Sequence, residues 1–201
     1  MQFVTDWIVK TCLNNQIITE QQIPWFKYGI EKRISSIVVM IPFFVLSTLL
    51  ANLGAAIAFI ISFYLIRSST NGYHAKTPLM CLILSIIYVF VFMGLFYRIL
   101  NKPATYIIAI VSFIIIFLRA PFDNVAMHFS NEEIMACRKK ARLLSILLVL
   151  CIACTQIIGL HSIAKGLSLG IAMAAYLLCL AYILDGGKKH EQNRKNQKHS
   201  S

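Results

Sequence analysis

The sequence predicts an all-α fold, a polytopic integral membrane protein with six transmembrane helices and an N-terminal interfacial amphipathic helix. Three observations carry that expectation. Of 201 residues 58% are apolar and only 13% charged, with a mean hydropathy of +0.72, where soluble domains average about 45–50% apolar and about 25% charged. The apolar residues gather into runs of the length that a hydrocarbon core of about 30 Å requires, roughly 20 helical residues. The 19 Lys and Arg, set against 8 Asp and Glu for a net charge of +11, all fall outside those runs, because hydrocarbon hosts charge only at high cost. A soluble nucleic-acid binder, a disordered chain and a secreted disulfide scaffold are excluded.

The N-terminal segment comes first. Phe3, Val4, Trp7, Ile8, Cys12 and Leu13 recur at roughly helical spacing. Two readings stay open: a helix lying along the membrane interface, in contact with lipid, or one packed on the protein's own cytoplasmic face. Trp25, Phe26 and Tyr28 beside Lys27 resemble an aromatic belt at the entry to the first span. No cleavable signal is expected, since the first long apolar run starts near residue 34.

Five apolar runs follow, at 34–66, 79–97, 103–118, 143–160 and 166–184. The first has 33 positions and would reach about 50 Å as one helix, too long for one span. Asn52-Leu53-Gly54 near its middle predicts a tight turn between two short helices, and so six spans. The distribution of positive charge tests the choice. With six spans, Lys10, Lys27, Lys32, Arg33, Arg67, Lys76, Arg119, Arg138, Lys139, Lys140, Arg142 and the five basic residues of the tail share one side. That places 16 on one face of the membrane and only Arg98, Lys102 and Lys165 on the other; five spans would divide them 12 against 7. Six spans with both termini in the cytoplasm fit better. Residues 1–187 then form a single membrane-embedded domain, with 1–33 as its cytoplasmic or interfacial entry. Residues 188–201 are expected to be a basic, disordered tail drawn to anionic lipid.

Cysteine usage agrees with that topology. Cys12, Cys81 and Cys137 fall on the cytoplasmic side and Cys151, Cys154 and Cys179 inside spans, so free thiols are expected. Cys151-x-x-Cys154 lacks a second ligand pair and reads as core thiols rather than a metal site; no metal and no cofactor are expected. His128 and His161 read as lone boundary histidines. Gly166-x-x-x-Gly170, followed by Ala172, Ala174 and Ala175, is a small-residue face for helix packing, either within the chain or between two copies.

Chemistry concentrates in the loop between the second and third spans, which reads Arg67-Ser-Ser-Thr-Asn-Gly72-Tyr-His74-Ala-Lys76-Thr77-Pro78-Leu-Met-Cys81. Thr77 suits an N-cap and Pro78 the first helical position, which places Cys81 in the first turn of the third span. A helix N-terminus and a nearby imidazolium both stabilise a thiolate. On one unbroken helix, His74 and Cys81 would stand about 10.5 Å apart along the axis, beyond hydrogen-bond reach. A break at Thr77-Pro78 lets His74 fold back towards the sulfur as a Cys–His dyad. The plain alternative is a boundary histidine and a buried thiol.

These residues resemble a known family. Arg67, Gly72-Tyr73-His74-Ala75-Lys76-Thr77 and Cys81 are similar to the signature of the accessory gene regulator protein B (AgrB) family, integral-membrane cysteine endopeptidases of Gram-positive quorum sensing. Tyr28-Gly29-Ile30-Glu31 resembles the family's motif before the first span, and Ala120-Pro121-Phe122-Asp123-Asn124 its element after the fourth. The likeness covers roughly 25–185 and departs at Asn71 and Ser68-Ser69.

The resemblance implies a substrate and a mechanism. The substrate is an AgrD-like precursor peptide with an amphipathic leader, a central autoinducer sequence and an acidic C-terminal tail. Cys81 is the nucleophile and His74 the acid–base group; tail removal leaves a thioester that closes to a cyclic autoinducing peptide. Asp123 and Gly72 are supporting candidates, Asp123 as a third member orienting His74 or merely as a helix-terminus carboxylate. Arg67, Glu31, Lys76, Arg138, Lys139, Lys140 and Arg142 are substrate-binding candidates. The four basic residues of 138–142 fit acidic peptide and lipid equally well, and Ser130-Asn131-Glu132-Glu133 reads as a capping box that starts their helix. A homodimer in the plasma membrane of a Gram-positive bacterium is further implied. The rival class is a small transporter or exporter of a peptide or ion, whose marks are charged residues or broken helices at mid-membrane. A membrane scaffold, the third class, would need neither His74 nor Cys81.

Overall fold

In the computed structural model the backbone is described for residues 2–15, 18–19, 23–70, 78–122 and 131–199. The side chains of 2–4, 24–25, 28–29, 31–39, 78–79, 81, 131, 133 and 185–199 lie outside that description. The described residues are almost entirely helical, with no strand among them. The order is α1 (Gln2–Asn14), α2 (Ile23–Leu50), α3 (Leu53–Thr70), α4 (Pro78–Val89), a π-helical segment (Phe90–Phe96), α5 (Tyr97–Ile99), α6 (Lys102–Arg119), α7 (Asn131–Ile157) and α8 (His161–His199). Five stretches are long and apolar enough to cross a membrane: Leu53–Thr70, Leu82–Ile99, Lys102–Arg119, Ile134–Ile157 and His161–Leu184. The C-terminal part of α2, Met40–Leu50, supplies a shorter apolar stretch beside them, so the all-helical, multi-pass architecture read from composition is the one found.

The expected break in the first long run is present. Chain reversal takes Ala51 and Asn52, and the Asn52 Oδ1 accepts the Ala55 amide at 2.8 Å, an N-cap that satisfies one of the donors every helix start leaves free. Asn101 repeats the device for α6, accepting the Ala104 amide at 3.0 Å with Pro103 inside the first turn. The turn before α8 lies at 158–160, earlier than the sequence suggests. Gly159 stands at φ +90°, and the Gly159 and Leu160 amides donate to the Gln156 and Thr155 carbonyls at 3.2 and 2.8 Å. This is a Schellman closure, which needs a residue that tolerates the left-handed region. Lys165 therefore belongs to the first turns of α8 rather than to a loop.

Two further differences follow from local chemistry. The third span is not a uniform α-helix: it widens to a π-helix over Phe90–Phe96, closed by the Tyr97 amide on the Phe92 carbonyl, an i to i−5 bond. At the other end, α8 continues as helix to His199, through the stretch where composition predicts disorder. Glu, Gln, Lys and Arg are good helix formers, and the helix arriving from the membrane already supplies the costly nucleus.

α8 is the axis of the bundle, and α3 is its most extensive partner. Ala164, Leu167, Ser168, Leu169, Ile171, Met173, Ala174, Leu178 and Ala181 are all buried. The Gly166/Gly170 face is used within the chain: a Cβ built on Gly166 would overlap the Ala55 carbonyl, and one on Gly170 the Ser62 hydroxyl and the Phe59 carbonyl. Close approach of backbones through small residues is how helices pack where lipid removes the hydrophobic drive between them. Cys151 and Cys154 are exposed on the outer face of α7, not in the core as expected. Their neighbour Ile152, fully buried, takes the inward register instead. No group of metal-ligating side chains occurs among the described residues.

α1 packs against α2, and its Thr5 and Val9 are buried. The Lys27 Nζ meets the Asp6 Oδ1 at 2.6 Å, while Trp7 stays 64% exposed. One face of α1 is thus packed on the protein and a large aromatic is left outside.

Candidate active site

One end of the bundle gathers the C-termini of α3 and α6, the turn of α8 that carries Tyr182 and the part of α7 that carries Arg142. The sequence placed the chemistry-bearing residues at this end. Arg67 lies in the last turn of α3 and is partly buried. Pro78 is the first residue of α4, which puts the Cys81 backbone in that helix's first turn, as the N-cap argument expects. His74, Gly72, Lys76 and Asp123 lie outside the described residues, as do the side chains of Cys81 and Glu31.

The described residues at this end form a connected frame. The 120–122 connection leaves α6, turns through a cis Ala120–Pro121 peptide and inserts the buried Phe122 ring into the core beside Ile66, Ala141 and Leu178. The Phe122 amide donates to the Thr70 carbonyl at 2.9 Å. Tyr182 of α8 crosses the same point. Its hydroxyl donates to the Arg119 carbonyl at 2.7 Å, and its ring meets Phe122 edge-on with centroids 4.9 Å apart. The Arg119 guanidinium lies 5.4 Å from the Tyr182 ring centroid. Thr70 and Arg119 each sit at a helix C-terminus, where carbonyls lack partners in the helix itself, so these two bonds close both ends at once.

Ser69 and Thr70 are fully buried, and their side-chain hydroxyls have no hydrogen-bond partner among the described residues. A buried hydroxyl left unpaired costs about 1–3 kcal/mol.

The chain matches the family model for Accessory gene regulator B over residues 1–181. It belongs to that family. No curated protein and no solved structure matches it. Membership places the chain in the peptide processing of accessory-gene-regulator quorum sensing, with an AgrD-type precursor peptide as its partner and a membrane location across several passes.

The basic run on α7 separates into two kinds of residue. Arg138, Lys139 and Lys140 are exposed. Arg142 is committed to the bundle: its Nε donates to the Phe117 carbonyl at 3.3 Å, and its guanidinium lies 4.5 Å from the Phe117 ring centroid. The four do not form one uniform docking surface. Sequence reasoning also missed Tyr182, Phe122 and Thr70 as a unit. The signal available was an aromatic near the end of the last span and another directly after Ala120-Pro121, and no spacing rule joins positions 60 apart in the chain.

Proposed function

We propose that this chain is a membrane-embedded cysteine endopeptidase that removes the C-terminal tail of an AgrD-like precursor and promotes cyclisation of what remains. The observation that carries this reading is family membership over residues 1–181, together with an α4 that opens at Pro78 and holds Cys81 in its first turn. First-turn amides and the helix dipole favour a thiolate there.

The Cys81 sulfur attacks the peptide carbonyl that precedes the tail, and His74 takes the thiol proton. The tetrahedral intermediate collapses as His74 returns that proton to the departing amine. The tail leaves with a free N-terminus, and the remaining peptide is held as a thioester on Cys81. The substrate's internal cysteine then attacks the thioester carbonyl, closing a thiolactone and freeing Cys81; an internal serine would close a lactone. The thioester keeps the acyl group activated, so ring closure requires no other energy source. A membrane-boundary site helps to exclude the water that would otherwise hydrolyse it.

Arg67, Glu31, Lys76, Arg138, Lys139 and Lys140 are proposed to meet the acidic substrate, and Gly72 and Asp123 to support the dyad. The preponderance of basic residues on one side of the spans supports cytoplasmic termini, and the family resemblance supports the plasma membrane of a Gram-positive bacterium. The working unit is proposed to be a homodimer in contact with lipid.

The test is reconstitution of the full chain in liposomes with a candidate precursor. Cys81→Ser and His74→Ala should each abolish tail release, and wild type should accumulate a hydroxylamine-labile adduct in intact mass. Normal processing by both variants would overturn the enzyme reading in favour of transport or scaffolding.

A further inference from the structure

Phe122 and Tyr182 lie far from each other in sequence, the first inside the 120–124 element and the second outside every motif, yet their rings meet. Thr70 directly precedes the segment that carries His74, and Phe122 directly precedes Asp123. Because the Phe122 amide is bonded to the Thr70 carbonyl, the two segments are rooted at one point. His74 is four residues beyond Thr70, and four residues span at most about 14 Å, so the root strongly limits where His74 can go.

That root is itself held from α8. The Tyr182 hydroxyl fixes the Arg119 carbonyl and its ring fixes Phe122, so residues 120–122 are gripped at both ends by one side chain. α8 is in turn locked to α3 by the Gly166/Gly170 contact with Ala55, Phe59 and Ser62. The grip is therefore referenced to the same helix that ends in Thr70.

We propose that Tyr182 is a positioning residue for the His74–Cys81 pair, acting through the 120–122 connection and the Thr70 carbonyl. The inference rests on the peptidase reading above. Tyr182→Phe keeps the ring with its edge contact to Phe122 and the nearby Arg119 guanidinium, and removes the hydroxyl bond to the Arg119 carbonyl; Tyr182→Leu removes the ring contacts as well.

Two quantities are read on the full chain in liposomes. One is tail release from precursor, with kcat and KM separated. The other is the pH dependence of Cys81 alkylation by iodoacetamide, followed by mass of the Cys81 peptide. Tyr182→Phe is expected to lower kcat several-fold with KM within about twofold. It should also move the alkylation midpoint upward, towards that of His74→Ala. Tyr182→Leu should do the same more strongly. Wild-type kcat and midpoint in Tyr182→Phe, with His74→Ala and Cys81→Ser inactive, would overturn the positioning role and leave the peptidase reading standing. A lower kcat with an unmoved midpoint would also overturn it, because a merely structural defect reduces the active fraction without retuning the thiol. Tail release at the wild-type rate by Cys81→Ser and His74→Ala would instead show that the peptidase reading itself had failed.

Discussion

The Phe122 amide and the Thr70 carbonyl, 2.9 Å apart, join the end of α3 to the connection leaving α6. The positioning role proposed for Tyr182 depends on that junction. The Phe122 ring is only 6% exposed, so the junction is held by packing as well as by hydrogen bonding.

Phe122→Ala should therefore destabilise the protein by about 3–5 kcal/mol, the usual cost of truncating a buried Phe. Thermal unfolding in detergent checks this. Phe122→Leu, which keeps most of the volume, should lose much less.

Thr70→Val is expected to act in the opposite direction. It replaces a buried hydroxyl that has no partner among the described residues by a methyl of similar shape, while keeping the carbonyl that accepts from Phe122. A gain of about 1 kcal/mol follows from relieving the desolvation cost, visible as a higher unfolding temperature.

The two glycines of α8 differ from Gly54. Gly166→Ala and Gly170→Ala place a methyl into α3 backbone or the Ser62 hydroxyl, so the helices must part at a cost of about 1–3 kcal/mol or more. Gly54→Ala meets only ordinary contacts, the nearest 3.6 Å away on Ile163, and should be neutral or stabilising by up to about 1 kcal/mol. The yield of monodisperse, folded protein for the three variants measures the difference.

The α7 cations should separate experimentally. Arg142→Lys loses the planar stack on Phe117, which an ammonium does not reproduce, and should lower the unfolding temperature. Gln at Arg138, Lys139 and Lys140 together should leave that temperature unchanged while weakening binding of an acidic tail peptide, an effect that rising salt would mimic.

Gly159 makes a narrower prediction. Nothing lies within 4 Å of a built Cβ there, but its φ of +90° is unfavourable for a side chain. Gly159→Ala should cost about 1–2 kcal/mol and Gly159→Asn less, as read by the same unfolding measurement.

Much of this protein was legible along the chain because membranes impose one-dimensional rules. Hydrocarbon demands long apolar runs and rejects charge, so the helical class and the break at Asn52 followed from composition and arithmetic. Pro78 marked the start of α4 by its missing amide, and Arg67 through Cys81 pointed to the family that the match over residues 1–181 then showed. Other features depend on distance in space, and no periodicity encodes them. An outward register for Cys151 and Cys154, the commitment of Arg142 to Phe117, and the use of Gly166 and Gly170 within one chain each depend on which neighbouring helix arrives. The meeting of Thr70, Phe122 and Tyr182 is the clearest case. Two helix ends supply it, those of α3 and α6, each with carbonyls that lack partners within the helix, and folding brings to that point the Phe122 amide and the Tyr182 hydroxyl that satisfy them.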